Sequence, residues 1–394
     1  MHPGIVMRPM LAALAVVSAL SSSPASGVMT DFTAVTIQHD GLHRHAWVYV
    51  PDSAKAGVAA GIVFFFHGLM TSVEKTCGGR NAFGFPAVEQ ANLHNFIAVC
   101  PQGFVLGDNA TPVVTAGGAR ERGGGRGWNN AACCGYAAGR VDDVGFVSAL
   151  LARLRATTLA DLGAAAQSAA TKNVFAFGFS TGGLFSYRLA CDLESEFAGI
   201  APTGAVFNWG FTSFFEGQMP WADACETQVP VWSSLGTNDV FTSAEVGLSK
   251  WRQFSSSQLG CDAASEELSA VGSSVNCYSN FDCAKGAKSR LCVYTGATHS
   301  VQPLGAPPFE YPHTNHAWLF LAPAATGAST TAEDKSSLAG ETNTTADAKT
   351  TATLGDNTSV KPAETSMSIA TAPGTSVCAA VMMLALVSTA GRDE

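Results

Sequence analysis

Six short apolar runs, separated by stretches of helical character, set the tightest limit on how this chain can fold. They are GIVFFFHG (61–68), FIAVCPQG (96–103), NVFAFGFS (173–180), GIAPTGAVF (199–207), PVWSSLGTND (230–239) and RLCVYTGATH (290–299). A strand with no polar side needs cover on both faces, and strands alternating with helices build a mostly parallel sheet. One crossover helix is legible in VDDVGFVSALLARLRA, where Val144, Val147, Leu151 and Leu154 fall on one stripe. Upstream, FTAVTIQHDGLHRHAWVYVP alternates apolar and polar around Asp40-Gly41, which predicts an antiparallel hairpin. The expected fold class is α/β, with helices on both faces of a central sheet.

The ends have a different character. MHPGIVMRPMLAALAVVSALSSSPASG reads as a secretory signal peptide over 1–26, with an apolar stretch from Met10 to Leu20 and a small-residue cleavage site. After Ala322 the sequence is rich in Ala, Thr and Ser and nearly free of large apolar residues. It cannot repay the entropy of folding, so 323–374 is expected to be a disordered, O-glycosylated stalk. Residues 375–394 contain an apolar stretch too short to span a bilayer. A GPI-attachment signal and simple secretion both remain open there, and a lipid anchor is the only route to a membrane that the sequence offers. Residues 28–322 form the expected catalytic domain. Asn109, Asn343 and Asn357 lie in N-glycosylation sequons.

The chain has eleven cysteines, ten of them in the body and Cys378 alone near the C-terminus. In a secreted chain such cysteines pair, and no paired C-x-x-C units suggest zinc. Charged residues make up only 13% and the net charge is −9, which gives no reason to seek nucleic acid. No metal or nucleotide cofactor is implied. GGGRG (123–127) lacks the preceding strand and following helix of a phosphate cradle and reads as a loop.

Chemistry is concentrated at GFSTG (178–182), a G-x-S-x-G sequence between a strand and a helix. In such an elbow the serine is held in a strained turn that lifts its hydroxyl clear of the sheet. Ser180 is therefore the candidate nucleophile, and it needs a base and an orienting acid. In α/β-hydrolases these follow in the order acid, then histidine. Asp239 and His299 each end an apolar run, so both emerge at the sheet's carboxyl edge with Ser180. Asp223, Asp262 and Asp282 lie in loops, while His313 and His316 lie by a terminal helix and suit surface or capping roles. The backbone N–H groups of Thr181 and Leu69 are the candidate oxyanion donors, with Met70 a second choice for the latter. His67 is read as a structural hydrogen-bonder beneath that loop.

FFFHGLMTS, GWNNAACCGYAAGRVDDVGFVSALLARL, GFSTGGLFSYRLAC, LGTNDVF and GATHS together resemble the secreted polyhydroxybutyrate depolymerase and feruloyl esterase family, counted among the carbohydrate esterases. The resemblance spans about residues 30–322. It implies an α/β-hydrolase fold, with Ser180, Asp239 and His299 as the triad and Leu69 as an oxyanion donor. Asp142 and Asp143 match that family's paired aspartates and read as structural, one of them capping a helix near Val144. Cys133 and Cys134 are expected to pair with different distant cysteines. The chain departs from the family at Leu69-Met70 and at Ser300-Val301-Gln302-Pro303, both at the mouth of the site, which leaves the reaction type in place and the substrate open.

Phe207, Trp209, Phe211, Phe214, Phe215 and Trp221 crowd the segment before Asp239. Trp209, Phe214, Phe215 and Trp221 are the candidate substrate-binding residues, with burial under a long loop as the competing role. The expected function is a secreted serine esterase, acting on feruloyl or acetyl esters of polysaccharide or on a polyester. A serine peptidase or lipase of the same fold is the enzymatic alternative. A non-catalytic glycan-binding or adhesion protein on a hydrolase scaffold has only the Thr-rich stalk in its favour.

Overall fold

The computed structural model describes residues 29–56, 59–69, 71–78, 84–105, 126–129, 141–158, 173–207, 221–222, 224–271, 273–300 and 313–322. In chain order the elements are β1 (Thr33–His39), β2 (Leu42–Tyr49), α1 (Asp52–Ala56), β3 (Ile62–Phe66), α2 (Val73–Cys77), α3 (Ala87–His94) and β4 (Ile97–Pro101). There follow β5 (Phe104–Val105), β6 (Arg126–Gly127), α4 (Asp143–Arg153), β7 (Val174–Phe179), α5 (Thr181–Asp192), β8 (Gly199–Thr203) and β9 (Val231–Gly236). The last are α6 (Ala244–Ser257), β10 (Glu267–Val271), β11 (Val275–Asn280), β12 (Ser289–Tyr294) and α7 (His313–Leu321).

Among the described residues ten strands form one sheet in the order β1-β2-β4-β3-β7-β8-β9-β12-β11-β10. The six apolar runs supply β3, β4, β7, β8, β9 and β12, and these pair in parallel. The β1–β2 hairpin joins β4 antiparallel. Its turn places both Asp40 (φ 50°) and Gly41 (φ 73°) at positive φ, as a two-residue hairpin loop of this twist requires. A parallel sheet with an antiparallel second strand and helices on both faces is the α/β-hydrolase fold.

The run IVFFF shows why these strands lack a polar side. Phe64 and Phe66 enter one core with Leu150, Leu151, Phe185 and Tyr187. Val63 and Phe65 enter a second core on the opposite face with Phe85, Phe96, Phe177 and Trp318. Alternate residues point to opposite faces, and both faces are dry. On α4 the buried stripe is Phe146, Val147, Leu150 and Leu151, continuing to Leu154, whereas Val144 is only half-buried. The expected stripe thus lies slightly rotated from the observed one.

Two features were not expected from the sequence. β11 and β10 extend the far edge as antiparallel strands. Their short, alternating pattern is that of any exposed strand, without the apolar continuity that marked the other six. Arg126 and Gly127, expected in a loop, pair with Phe104 and Val105 as a two-stranded bridge.

Among the described residues four disulfides link Cys77–Cys100, Cys191–Cys225, Cys261–Cys283 and Cys277–Cys292. Cys277 and Cys292 are direct partners across β11 and β12. Cys133 and Cys134, like Asn109, Asn343, Asn357, the signal segment, the stalk and the C-terminal segment, lie outside the described residues. Among the described residues no helix is long and apolar enough to cross a membrane.

Candidate active site

The elbow is built by close approach. Ser180 leaves β7 at φ 54°, ψ −118° and starts α5. A Cβ placed on Gly178 would stand 2.1 Å from the carbonyl oxygen of Gly182, and one on Gly182 would stand 2.3 Å from that of Phe66. Larger residues at either place would push the helix off the strand. The N–H of Ser180 donates to the Thr203 carbonyl (2.8 Å), and the Ser180 carbonyl accepts from Leu184 (3.0 Å). The backbone on both sides of Ser180 is therefore fixed by β8 and by its own helix.

Asp239 and His299 follow β9 and β12, which are adjacent. Their loops are laced together: the N–H of Asn238 donates to the Ala297 carbonyl (2.9 Å), that of Thr237 to the Tyr294 carbonyl (2.9 Å), and that of Gly296 to Thr237 Oγ1 (2.8 Å). His299 Nδ1 lies 2.7 Å from Asp239 Oδ2. The other oxygen, Oδ1, accepts from the N–H groups of Phe241 (2.8 Å) and Thr242 (3.1 Å). Two backbone donors on Oδ1 leave Oδ2 to hold the imidazole, so Nδ1 carries the proton and Nε2 is left to act as a base.

Phe179 and Phe241 flank the His299 ring, with centroids 4.8 and 4.7 Å away. Phe179 precedes Ser180 directly, so this contact brings the imidazole to the elbow. A Cβ on Gly204, just past β8, would stand 3.0 Å from His299 Cε1. Phe179, Phe241 and Gly204 lie within stretches that the sequence singled out, but their packing on the imidazole is set by contacts across the fold that no local pattern shows.

Thr181 is the first residue of α5, and the first N–H groups of a helix have no acceptor inside it. Leu69 is buried, with its side chain beside Gly127, while Met70 lies outside the described residues. His67 is fully buried. Its Nδ1 lies 2.7 Å from the Gly68 carbonyl, and its Nε2 faces two donors, the Gly103 N–H (2.9 Å) and the Gln102 amide (3.0 Å). The Trp128 indole N–H donates to the His67 carbonyl (2.9 Å).

Of the substrate-binding candidates, Trp209, Phe214 and Phe215 lie outside the described residues. Trp221 is half-buried and edge-on to Phe207 at 5.8 Å, and Phe207 packs on Tyr187 and Phe254. These contacts describe a core margin. Among the rival residues, Asp262 accepts from the Ala264 N–H (2.9 Å) as a turn cap. His316 is half-buried on α7 rather than at the surface.

Burial pushes the His67 pKa down from its ordinary 6.5 to about 4, against the hydrogen bond to Gly68, with Arg126 lowering and Glu74 raising it further out. The folded state therefore holds fewer protons than the unfolded chain between those values. The stability that this neutral ring contributes is complete above about pH 6.5 and is lost as pH falls toward about 4. Replacing His67 by glutamine is expected to flatten the acid side of the stability curve by about 1.4 kcal/mol per pH unit, one proton's worth. Urea melts of both proteins between pH 6.5 and 4 measure it, and equal slopes would contradict the assignment.

No protein-family model matches the chain, and no curated protein matches it in sequence. Solved structures share its chain path at low identity. An S-formylglutathione hydrolase from Agrobacterium tumefaciens is 14% identical over 71% of this chain and 92% of its own, with a TM-score of 0.43. The feruloyl esterase module from Clostridium thermocellum complexed with sinapinate is 14% identical over 71% and 88%, with a TM-score of 0.38. A thermostable esterase is 13% identical over 68% of this chain, which spans only 56% of its length, with a TM-score of 0.39. Likenesses this distant say nothing about chemistry, which rests on the chain's own side chains.

Proposed function

We propose that the chain is a secreted serine carboxylic-ester hydrolase working through an acyl-Ser180 intermediate. The observation that carries this reading is the Asp239–His299 pair, delivered to the same sheet edge as a serine held at positive φ. His299 Nε2 takes the Ser180 proton as Oγ bonds to the ester carbonyl carbon. The same proton then passes to the departing alkoxide oxygen as the ester C–O bond breaks. Water, deprotonated by His299, hydrolyses the acyl-enzyme and returns the serine hydroxyl. Asp239 keeps the imidazole in the required tautomer and stabilises the imidazolium. The N–H groups of Thr181 and Leu69 receive the oxyanion, aided by the positive end of α5.

Secretion is supported by four disulfides, which persist in oxidising compartments. The substrate class follows the sequence resemblance to feruloyl esterases and polyhydroxybutyrate depolymerases. The low charge of the chain favours a neutral ester. A panel of feruloyl, acetyl and 3-hydroxybutyrate esters, run beside fluorophosphonate labelling of the purified protein, tests both levels. Labelling at Ser180 with turnover of one of these esters is expected. An unlabelled protein that turns over none of them would leave the glycan-binding reading in its place.

A further inference from the structure

The loop between β3 and α2 holds a fully buried histidine that the acyl-transfer chemistry does not use. Among the described residues the partners of His67 Nε2 are donors, the Gly103 N–H and the Gln102 amide, so it must present a lone pair. The amide assignment of Gln102 is set by the Val73 N–H, which donates to its Oε1 (3.3 Å). The ring proton is then on Nδ1, where it donates to the Gly68 carbonyl at 2.7 Å. That carbonyl belongs to the same peptide as the Leu69 N–H. A trans peptide is planar, and its C=O and N–H point in opposite directions. No cis peptide occurs among the described residues.

Holding the oxygen on the His67 side therefore turns the hydrogen to the other side. Ser180 lies close by: a Cβ on Gly68 would stand 3.4 Å from Ser180 Cβ, and one on Gly182 would stand 2.6 Å from the His67 carbonyl oxygen. We propose that His67 is a positioning residue for the oxyanion hole, its Nδ1–H fixing the Gly68–Leu69 peptide so that the Leu69 N–H faces the carbonyl attacked by Ser180. The inference rests on the acyl-Ser180 reading and adds to it a distinct residue. Burial keeps the ring neutral through the range where the enzyme would work. Gln102 and Gly103, at the end of β4, select the tautomer and so control a peptide that they do not touch.

The two amide side chains separate this role from bulk support. Asparagine at 67 places an N–H near the Nδ1 position, whereas glutamine reaches the Nε2 position and leaves the Gly68 carbonyl with only its longer contacts from the Thr71 N–H (3.5 Å) and hydroxyl (3.3 Å). In the full-length protein with p-nitrophenyl acetate as probe, H67N is expected to stay within about fivefold of the wild-type kcat. H67Q should lose about 10- to 100-fold in kcat with KM within about threefold, a large part of the effect of deleting an oxyanion donor. Equal losses in both variants would overturn the proposal. Should neither variant fold, ¹⁵N spectra of labelled histidine in the wild type decide it, with His67 protonated on Nδ1 as expected and on Nε2 as the contrary result. Fluorophosphonate labelling of Ser180 in the wild type is measured in parallel. A failure there defeats the acyl-enzyme reading itself, and the proposal with it, whereas labelling with matched H67N and H67Q defeats the proposal alone.

Discussion

Alanine at position 180 is expected to abolish ester turnover, lowering kcat by about four to six orders of magnitude and eliminating fluorophosphonate labelling. The loss is chemical, because the Asp239–His299 pair and the hydrogen bonds of the Ser180 backbone to Thr203 and Leu184 remain in place. Stability separates this from misfolding. Ser180 holds φ 54°, ψ −118°, a region that a residue with a Cβ occupies at a cost of about 1–3 kcal/mol. Alanine keeps that cost and should melt close to the wild type. Glycine relieves the strain but is more flexible when unfolded, so S180G should gain about 1 kcal/mol while being equally inactive. A protein that loses activity on S180A but stability on S180G would contradict the strained-elbow account. Turnover surviving S180A would mean that the nucleophile lies elsewhere.

How much of this was legible from the sequence depends on the range of the forces involved. The six parallel strands announce themselves because each buries both faces, as Phe64 with Phe66 on one side and Phe65 on the other make plain. Asp40-Gly41 announces its turn because few residues tolerate positive φ. The elbow is readable for the same local reason, and Asp239 and His299 follow from where strands end. Pairwise contacts across the fold leave no such trace. β10 and β11 look like any half-exposed strands, and the partners of His67 come from Gln102, Gly103 and Trp128, which are 35, 36 and 61 positions away. The paired aspartates show the division well. Capping by one of them was expected at a helix start, and Asp142 does cap, accepting from the Gly145 N–H at 2.8 Å. Nothing near Asp143 in sequence reveals that its partner is Arg44.

That partner makes Asp143→Ala the substitution with the largest expected effect on stability. Arg44 on β2 and Asp143 on α4 are almost wholly buried and meet at 2.5 Å. The guanidinium lies 4.1 Å from the Phe146 ring centroid, and the second carboxylate oxygen accepts from the Asn129 N–H at 2.7 Å. Deleting the carboxylate strands both a buried cation and a buried N–H, for a loss of about 3–5 kcal/mol, a large share of a typical domain's stability. Arg44→Met alone should cost nearly as much, since it leaves the anion uncompensated. The double variant Arg44→Met/Asp143→Asn removes both charges while its amide oxygen still serves Asn129, so it should recover most of the loss. Denaturant melts of the wild type, Arg44→Met, Asp143→Asn and the double variant complete the cycle, with a coupling of at least about 2 kcal/mol expected. Additive single effects would mean that the two charges stabilise independently. The pair also reaches the site: Asn129 adjoins Trp128, whose indole holds the His67 carbonyl, and Trp128 stacks on Phe185 of the helix behind Ser180. Asp143→Ala should therefore raise the mobility of the loop that carries His67 and Leu69 before the domain unfolds, with kcat falling at temperatures where far-ultraviolet circular dichroism is still native.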